Sequence, residues 1–248
     1  LLRVIGLGPG DASLLAPAAA AALDAAAAIV GYKRYVELIP ASFLVGKRVV
    51  STGMTAEIER CREAIALALS GVSTVLVSSG DPGIYGMAGL VLELMESAAL
   101  WERLELEIVP GIPALAAAAA LLGAPLMHDF AVVSLSDLLT PWELIERRLA
   151  AATAADFVLA LYNPRSKKRD WQLRRALDIL LEHKSPATPV GIVRQAYREG
   201  QAVAVATLGS LEVAAVDMLS IVIVGNAQTR CAGGKMFTPR GYKDKYEV

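Results

Sequence analysis

Histidine and cysteine are scarce: the 248 residues hold two of each, His128 and His183, Cys61 and Cys231. Ligands so few and so far apart do not give the close spacing of a zinc centre, and no metal is expected. Two distant cysteines exclude a disulfide framework and indicate a reducing compartment, the cytoplasm. An excess of charge of either sign is also lacking. A formal net charge of -1 supplies no general field to draw in nucleic acid, so no nucleic-acid partner is expected. An uninterrupted membrane span is missing as well, because Gly123 and Pro125 break the apolar stretch 114–127 short of about 20 residues. That stretch reads as a buried helix. The chain starts at Leu1 directly in a strand, with no basic segment ahead of an apolar one, so neither a signal peptide nor a membrane partner is expected.

What the chain does have is a repeated alternation of apolar β-branched runs, Gly/Pro loops and helical patterns. Its centre is Val75 to Gly89, a strand ending in serines, a break at Gly80-Asp81-Pro82-Gly83, and a helix presenting Val91, Leu94 and Met95 on one face. In an open parallel sheet such a loop lies at the carboxyl end of a strand, where ligands bind. The glycines bare backbone amides, and Pro82 fixes a turn dihedral. Asp81 is an acceptor for a ribose hydroxyl or a cationic amine, or else a cap for its own backbone. The first run, Leu2 to Leu7, ends in Gly6-Leu7-Gly8-Pro9-Gly10-Asp11 and leads to a helix with Leu14, Leu15, Ala18, Ala22 and Leu23. It misses the dinucleotide fingerprint, since Asp11 takes the sixth position and Pro9 removes an amide. A loop lining a ligand cleft stays open.

Strands are expected near 28–31, 48–51 and 104–109, the last ending in Pro110-Gly111-Ile112-Pro113 with Pro113 as the first helical residue. Between them a helix uses Ile58, Cys61, Ile65 and Leu69 as its apolar face, Thr55 as N-cap and Gly71 as stop. After Gly123-Ala124-Pro125 the pattern restarts. Strands are expected at 130–135, 156–162, 190–193, 202–206 and 220–224, with Thr140-Pro141-Trp142-Glu143 as a capping box and a helix carrying Leu173, Leu177, Leu180 and Leu181. The fold class is therefore α/β in two domains, 1–115 and 116–248, each a mostly parallel or mixed sheet of about five strands flanked by helices, with a ligand cleft between them. Basic residues at Arg165, Lys167, Lys168, Arg169, Arg174 and Arg175, and at Arg230, Lys235, Arg240, Lys243 and Lys245, read as solvated surface. Arg165, beside the Asn163-Pro164 turn, is also suited to grip a ligand carboxylate bidentately.

These motifs bring a resemblance. Gly6-x-Gly8-Pro9-Gly10-Asp11, Gly80-Asp81-Pro82, Pro110-Gly111-Ile112, Asn163-Pro164-x-Ser166 and the ending Gly225-Asn226 to Tyr242 resemble the tetrapyrrole (corrin and porphyrin) methyltransferases. Ser51-Thr52-Gly53-Met54, the stretch from Asp81 to Met87, Leu126 to Phe130 and the tail are similar to the branch that methylates C17. The resemblance implies a homodimer that binds S-adenosylmethionine (SAM), released as S-adenosylhomocysteine, at Pro9, Ser79, Gly80, Asp81, Ile84, Pro113, Ala114, Asn163 and Ala196. Pro113 stands where relatives often carry serine or threonine, and Asn163-Pro164 replaces a Met-Gly pair. The implied reaction is methylation of C17 of precorrin-3B or its cobalt counterpart, cobalt-factor III, coupled to ring contraction in cobalamin biosynthesis. Gly10, Asp11, Met54, Tyr85 and Arg165 would meet that tetrapyrrole, and His128 and Asp129 would move protons during contraction, unless they are merely surface loop residues. A sulfonium methyl is already activated, so positioning, worth about 7–11 kcal/mol, suffices without a metal or a covalent nucleophile. Two other readings stand beside this one: a methyltransferase of the same fold acting elsewhere on a tetrapyrrole or on ribosomal RNA, and a non-catalytic nucleotide-binding module.

Overall fold

Val75, Leu76 and Val77 are all fully buried, as befits a strand covered on both faces. The computed structural model describes residues 1–166 and 169–246, and the chain divides into two units, Leu1–Ala114 and Leu115–Val248. In the first unit β1 (Leu2–Gly6), β2 (Ala28–Tyr32), β3 (Arg48–Thr52), β4 (Thr74–Ser78) and β5 (Leu106–Val109) form a sheet in the order β3-β2-β4-β1-β5. Every pairing in it is parallel. Alternate residues along each strand serve opposite faces. Ile5, Ile29, Val75 and Val77 pack with Ala19, Ala22 and Leu23 of α1 (Pro17–Ala25) and Val36 of the short α2 (Lys33–Val36). On the other face Val4, Val30 and Leu76 pack under α3 (Glu57–Leu69) and α4 (Met87–Ser97). Lys47 closes the end of α1, its Nζ donating to the Leu23, Asp24 and Ala26 carbonyls at 2.8, 2.5 and 2.7 Å. A cation there also answers the negative end of the helix dipole.

The second unit opens with α5 (Ala114–Leu122), whose first residue belongs to the first unit. Its sheet contains β7 (Phe130–Ser134), β8 (Val158–Tyr162), β9 (Pro189–Arg194), β10 (Ala202–Thr207) and β11 (Ser220–Val224) in the order β10-β9-β11-β8-β7. Here β7 and β8 are parallel and the other three pairings antiparallel, so β7, β8 and β9 run the same way. One face carries Leu159, Leu161, Val222 and Val224 beneath α6 (Trp142–Ala154) and α7 (Gln172–Leu181). A ribbon of β6 (Gly123–Ala124), β13 (Lys235–Phe237) and β12 (Arg230–Ala232) and the last turn α8 (Tyr242–Lys245) complete the described elements.

Several local expectations are corrected. Leu14 and Leu15 lie ahead of α1, in and after a 3-10 turn capped by Asp11. Thr55 does not cap α3, because its φ is 66° and its hydroxyl turns back to the Met54 carbonyl. The buried face of α3 is Arg60, Cys61, Ala64, Ile65, Leu67 and Ala68, whereas Ile58 is 51% exposed. Pro141, not Thr140, is the N-cap of α6, without a side-chain cap bond, and Pro113 precedes α5 rather than opening it. The buried-helix reading of 114–127 holds only to Leu122, beyond which Gly123 and Ala124 become β6 because β13 offers them a strand edge. Lys167 and Lys168 fall outside the described residues. Burial pushes the Cys61 thiol up to about 11, so this cysteine packs as a small apolar group.

Candidate functional site

Because β4, β1 and β5 are parallel neighbours, the loops that follow them emerge side by side at one edge of the sheet. The first two loops are joined by an antiparallel bridge: Gly8 N–H donates to the Gly80 carbonyl at 3.1 Å and Gly80 N–H to the Gly8 carbonyl at 2.8 Å. The third is tied in by Asp81. One carboxylate oxygen accepts from Gly83 N–H at 2.8 Å, and the other from Gly111 N–H at 3.1 Å. Gly6, Gly111 and the Gly80 carbonyl converge so closely that no side chain fits on Gly6 or Gly111. A Cβ on Gly6 would lie 2.7 Å from the Gly111 nitrogen, and one on Gly111 would lie 2.8 Å from Gly6 carbons. Gly80 has a φ of 66° besides. Ser78 Oγ accepts from Met87 N–H at 3.1 Å, which fixes where α4 begins.

This junction gathers most of the predicted residues of the first unit. Pro9 is buried, Gly10 and Ser79 half-buried, and Asp11 exposed, where a hydroxyl and a backbone amide of Ser13 hold its carboxyl below the usual range. Gly80 is buried, Asp81, Ile84, Pro113 and Ala114 are half-buried, and Tyr85 is 55% exposed with a φ of 52°. Of the two readings of Asp81, the cap on its own backbone is present in the Gly83 bond, and a second bond, to Gly111, also makes the carboxylate organise the next loop. Met54 follows β3 at the same edge, two strands away, and is 61% exposed.

In the second unit Asn163 follows β8 and Ala196 follows β9, so both lie at the carboxyl edge of the three co-directional strands. Asn163 has a φ of 50° and its amide donates to Ser134 Oγ at 2.9 Å. Arg165 is half-buried at that edge, its Nη1 3.5 Å from the Ala214 carbonyl and its Nε without a hydrogen-bond partner among the described residues. His128 and Asp129 are not brought there. They precede β7, with the Asp129 carbonyl accepting from Val158 N–H, and thus stand at the opposite edge from Asn163. His128 Nδ1 accepts from Asp129 N–H at 2.9 Å, and the two side chains are 39% and 82% exposed. Among the described residues no group of three or more His, Cys, Asp or Glu could hold a metal.

Two buried arginines escaped the sequence reading. Arg169, assigned there to the solvated surface, is 8% exposed and donates to the Leu135 and Asn163 carbonyls at 3.1 and 3.0 Å, binding the ends of β7 and β8 together. Arg60 is 3% exposed and does the same for β3 and α4 of the first unit. The one local signal was an arginine on the buried side of α3, in register with Ala64 and Leu67. The other basic residues, Arg174, Arg175, Arg230, Lys235, Arg240, Lys243 and Lys245, are exposed.

Comparison with known proteins follows this geometry. The chain is 53% identical over 98% of its length, and 99% of the relative's, to a probable cobalt-factor III C(17)-methyltransferase of Salmonella typhimurium. It is 47% identical over its whole length to the cobalt-factor III methyltransferase of Priestia megaterium, of which it spans 46%. It is 40% identical, over 97% of its length and 96% of the relative's, to the precorrin-3B C(17)-methyltransferase of a Sinorhizobium species. The crystal structure of the methyltransferase CobJ superposes with a TM-score of 0.91 at 42% identity, covering 96% of this chain and 99% of that one. The profile described as Tetrapyrrole (Corrin/Porphyrin) Methylases matches residues 2–212, and the chain belongs to that family.

Proposed function

We propose that this chain is a SAM-dependent methyltransferase acting at C17 of cobalt-factor III in cobalamin biosynthesis, as a cytoplasmic homodimer. The observation that carries the reading is the junction of Gly6, Gly80 and Gly111, which strips side chains from three adjacent loops and leaves main-chain groups for the polar parts of SAM. Pro110 and Pro113 stand in the same loops and, with Ile84, give donor-free surface suited to an adenine ring. When bound, SAM supplies an activated methyl on a positive sulfur. Pro9, Ser79, Gly80, Ile84, Pro113 and Ala114 hold it, with Asn163 and Ala196 as further contacts, and Asp81 keeps the loops in register. The chain's contribution to rate is orientation and exclusion of water, which needs no catalytic triad.

Gly10, Asp11, Met54, Tyr85 and Arg165 are the proposed contacts to the macrocycle. His128 and Asp129 stand a strand-length, about 17 Å, from the Asn163 edge, and this reading assigns them no proton. The names of the 53% and 47% identical relatives favour the cobalt-loaded acceptor over precorrin-3B, the acceptor in the name of the 40% identical one. Incubation with SAM and either acceptor, followed by mass and visible spectrum, tests the proposal. One added methyl on the cobalt form is the expected product, and no transfer to either acceptor would refute it. Arg165→Ala should lower kcat/KM for the macrocycle about 10- to 100-fold, as loss of a charge-assisted bond does. SAM affinity measured by calorimetry should stay within about twofold.

A further inference from the structure

We propose that Arg60 is a positioning residue for the tetrapyrrole, setting the place of Met54 against the start of α4; the inference rests on the methyltransferase reading above. Arg60 lies in the first turn of α3, 3% exposed, and among the described residues no carboxylate pairs with it. Its Nε donates to Thr52 Oγ1 at 2.7 Å and its Nη2 to the Gly53 carbonyl at 2.9 Å. Nη1 is 3.6 Å from Met87 Sδ, and the guanidinium carbon lies 5.6 Å from the centre of the Tyr32 ring. Thr52 ends β3, Tyr32 ends β2 and Met87 opens α4. One side chain therefore joins three elements at the carboxyl edge of the sheet.

A buried cation without a counter-charge is costly, and an apolar residue would fill this helix face at less cost. What an apolar residue cannot do is grip two chain segments at once, which the planar fork of arginine does. The Gly53 carbonyl belongs to the peptide entering Met54, whose side chain is 61% exposed, and Met87 directly follows the loop of Asp81 and Gly86. Arg60 thereby places the exposed Met54 in the same frame as that loop. The loop junction is held by other bonds, Gly8 to Gly80 and Asp81 to Gly111, so loss of Arg60 should fall on the macrocycle rather than on SAM.

Arg60→Met keeps a long apolar stem and removes the fork. The expected result is a KM for cobalt-factor III raised about tenfold with SAM affinity within about threefold of the wild type. Arg60→Lys, which keeps the charge but not the fork, should fall between the two. If Arg60→Met does not fold, Thr52→Val removes only the acceptor of Nε and should raise the same KM at least about threefold. An unchanged KM in a folded variant, or a parallel loss of SAM binding, overturns the positioning role. Wild-type turnover is measured first: its absence would reject the methyltransferase reading and this inference together, whereas turnover indifferent to Arg60 rejects the inference alone.

Discussion

Replacing Gly111 by alanine is expected to cost about 3 kcal/mol of stability and to unseat SAM. The new methyl group would run into the Gly80 carbonyl oxygen and lie 2.8 Å from the Gly6 main chain. Neither is the end of a flexible side chain, so β1 and the β4 loop would both have to move. At about 2–4 °C per kcal/mol for a chain of this size, the melting temperature should fall by about 6–12 °C. SAM affinity by calorimetry should fall at least about 30-fold, because the amides and carbonyls of all three loops lose their register. A melt within about 2 °C of the wild type and unaltered SAM binding would mean that the loops are not joined as described.

Asp81→Ala is the second large effect, and it acts by a different route. The carboxylate accepts from Gly83 within its own loop and from Gly111 in the next, so its removal orphans two backbone donors at once. Unsatisfied donors cost about 1–3 kcal/mol each when buried, less here because Asp81 is half-buried. Expected are a SAM affinity about 10- to 100-fold lower and a smaller stability loss than for Gly111→Ala. Asp81→Asn separates the roles, since its carbonyl can serve one amide but its NH2 group cannot serve the other. It should lie between the wild type and Asp81→Ala. Equal SAM affinity across all three proteins would remove Asp81 from the organisation of the site.

Much of this architecture was legible in the sequence because it is local. A buried parallel strand must be apolar on both faces, and Val75-Leu76-Val77 followed by Ser-Ser-Gly-Asp-Pro reads as strand, loop and helix without any partner in view. Leu2 to Gly6 reads the same way, and Ser220 to Val224, buried although both its pairings are antiparallel, is equally legible as an apolar run; both match their expected boundaries within a residue. What the residues alone did not disclose is relational. Asp81 has the same local appearance whether it waits for a ligand or holds Gly111, and Gly111 is 30 residues away. Arg169 sits in a run of basic residues that looks solvated, yet its guanidinium reaches the carbonyls closing β7 and β8. Strand direction is equally hidden. The alternation of strands and helices suggested mostly parallel or mixed sheets without telling which strands reverse; β9, β10 and β11, which follow one another without long helices, are the ones that pair antiparallel. Placement at opposite edges likewise separates His128 and Asp129 from Asn163, although 128 and 163 flank the parallel pair β7 and β8.

Hydrogen exchange of the whole chain with and without SAM tests most directly whether the three glycine-rich loops are the seat of the methyl donor. The account predicts slowed exchange on adding SAM in peptides covering 7–14, 79–88 and 110–115, with 128–129 unaffected. Slowing confined to other segments, with these three loops exchanging as before, would contradict it.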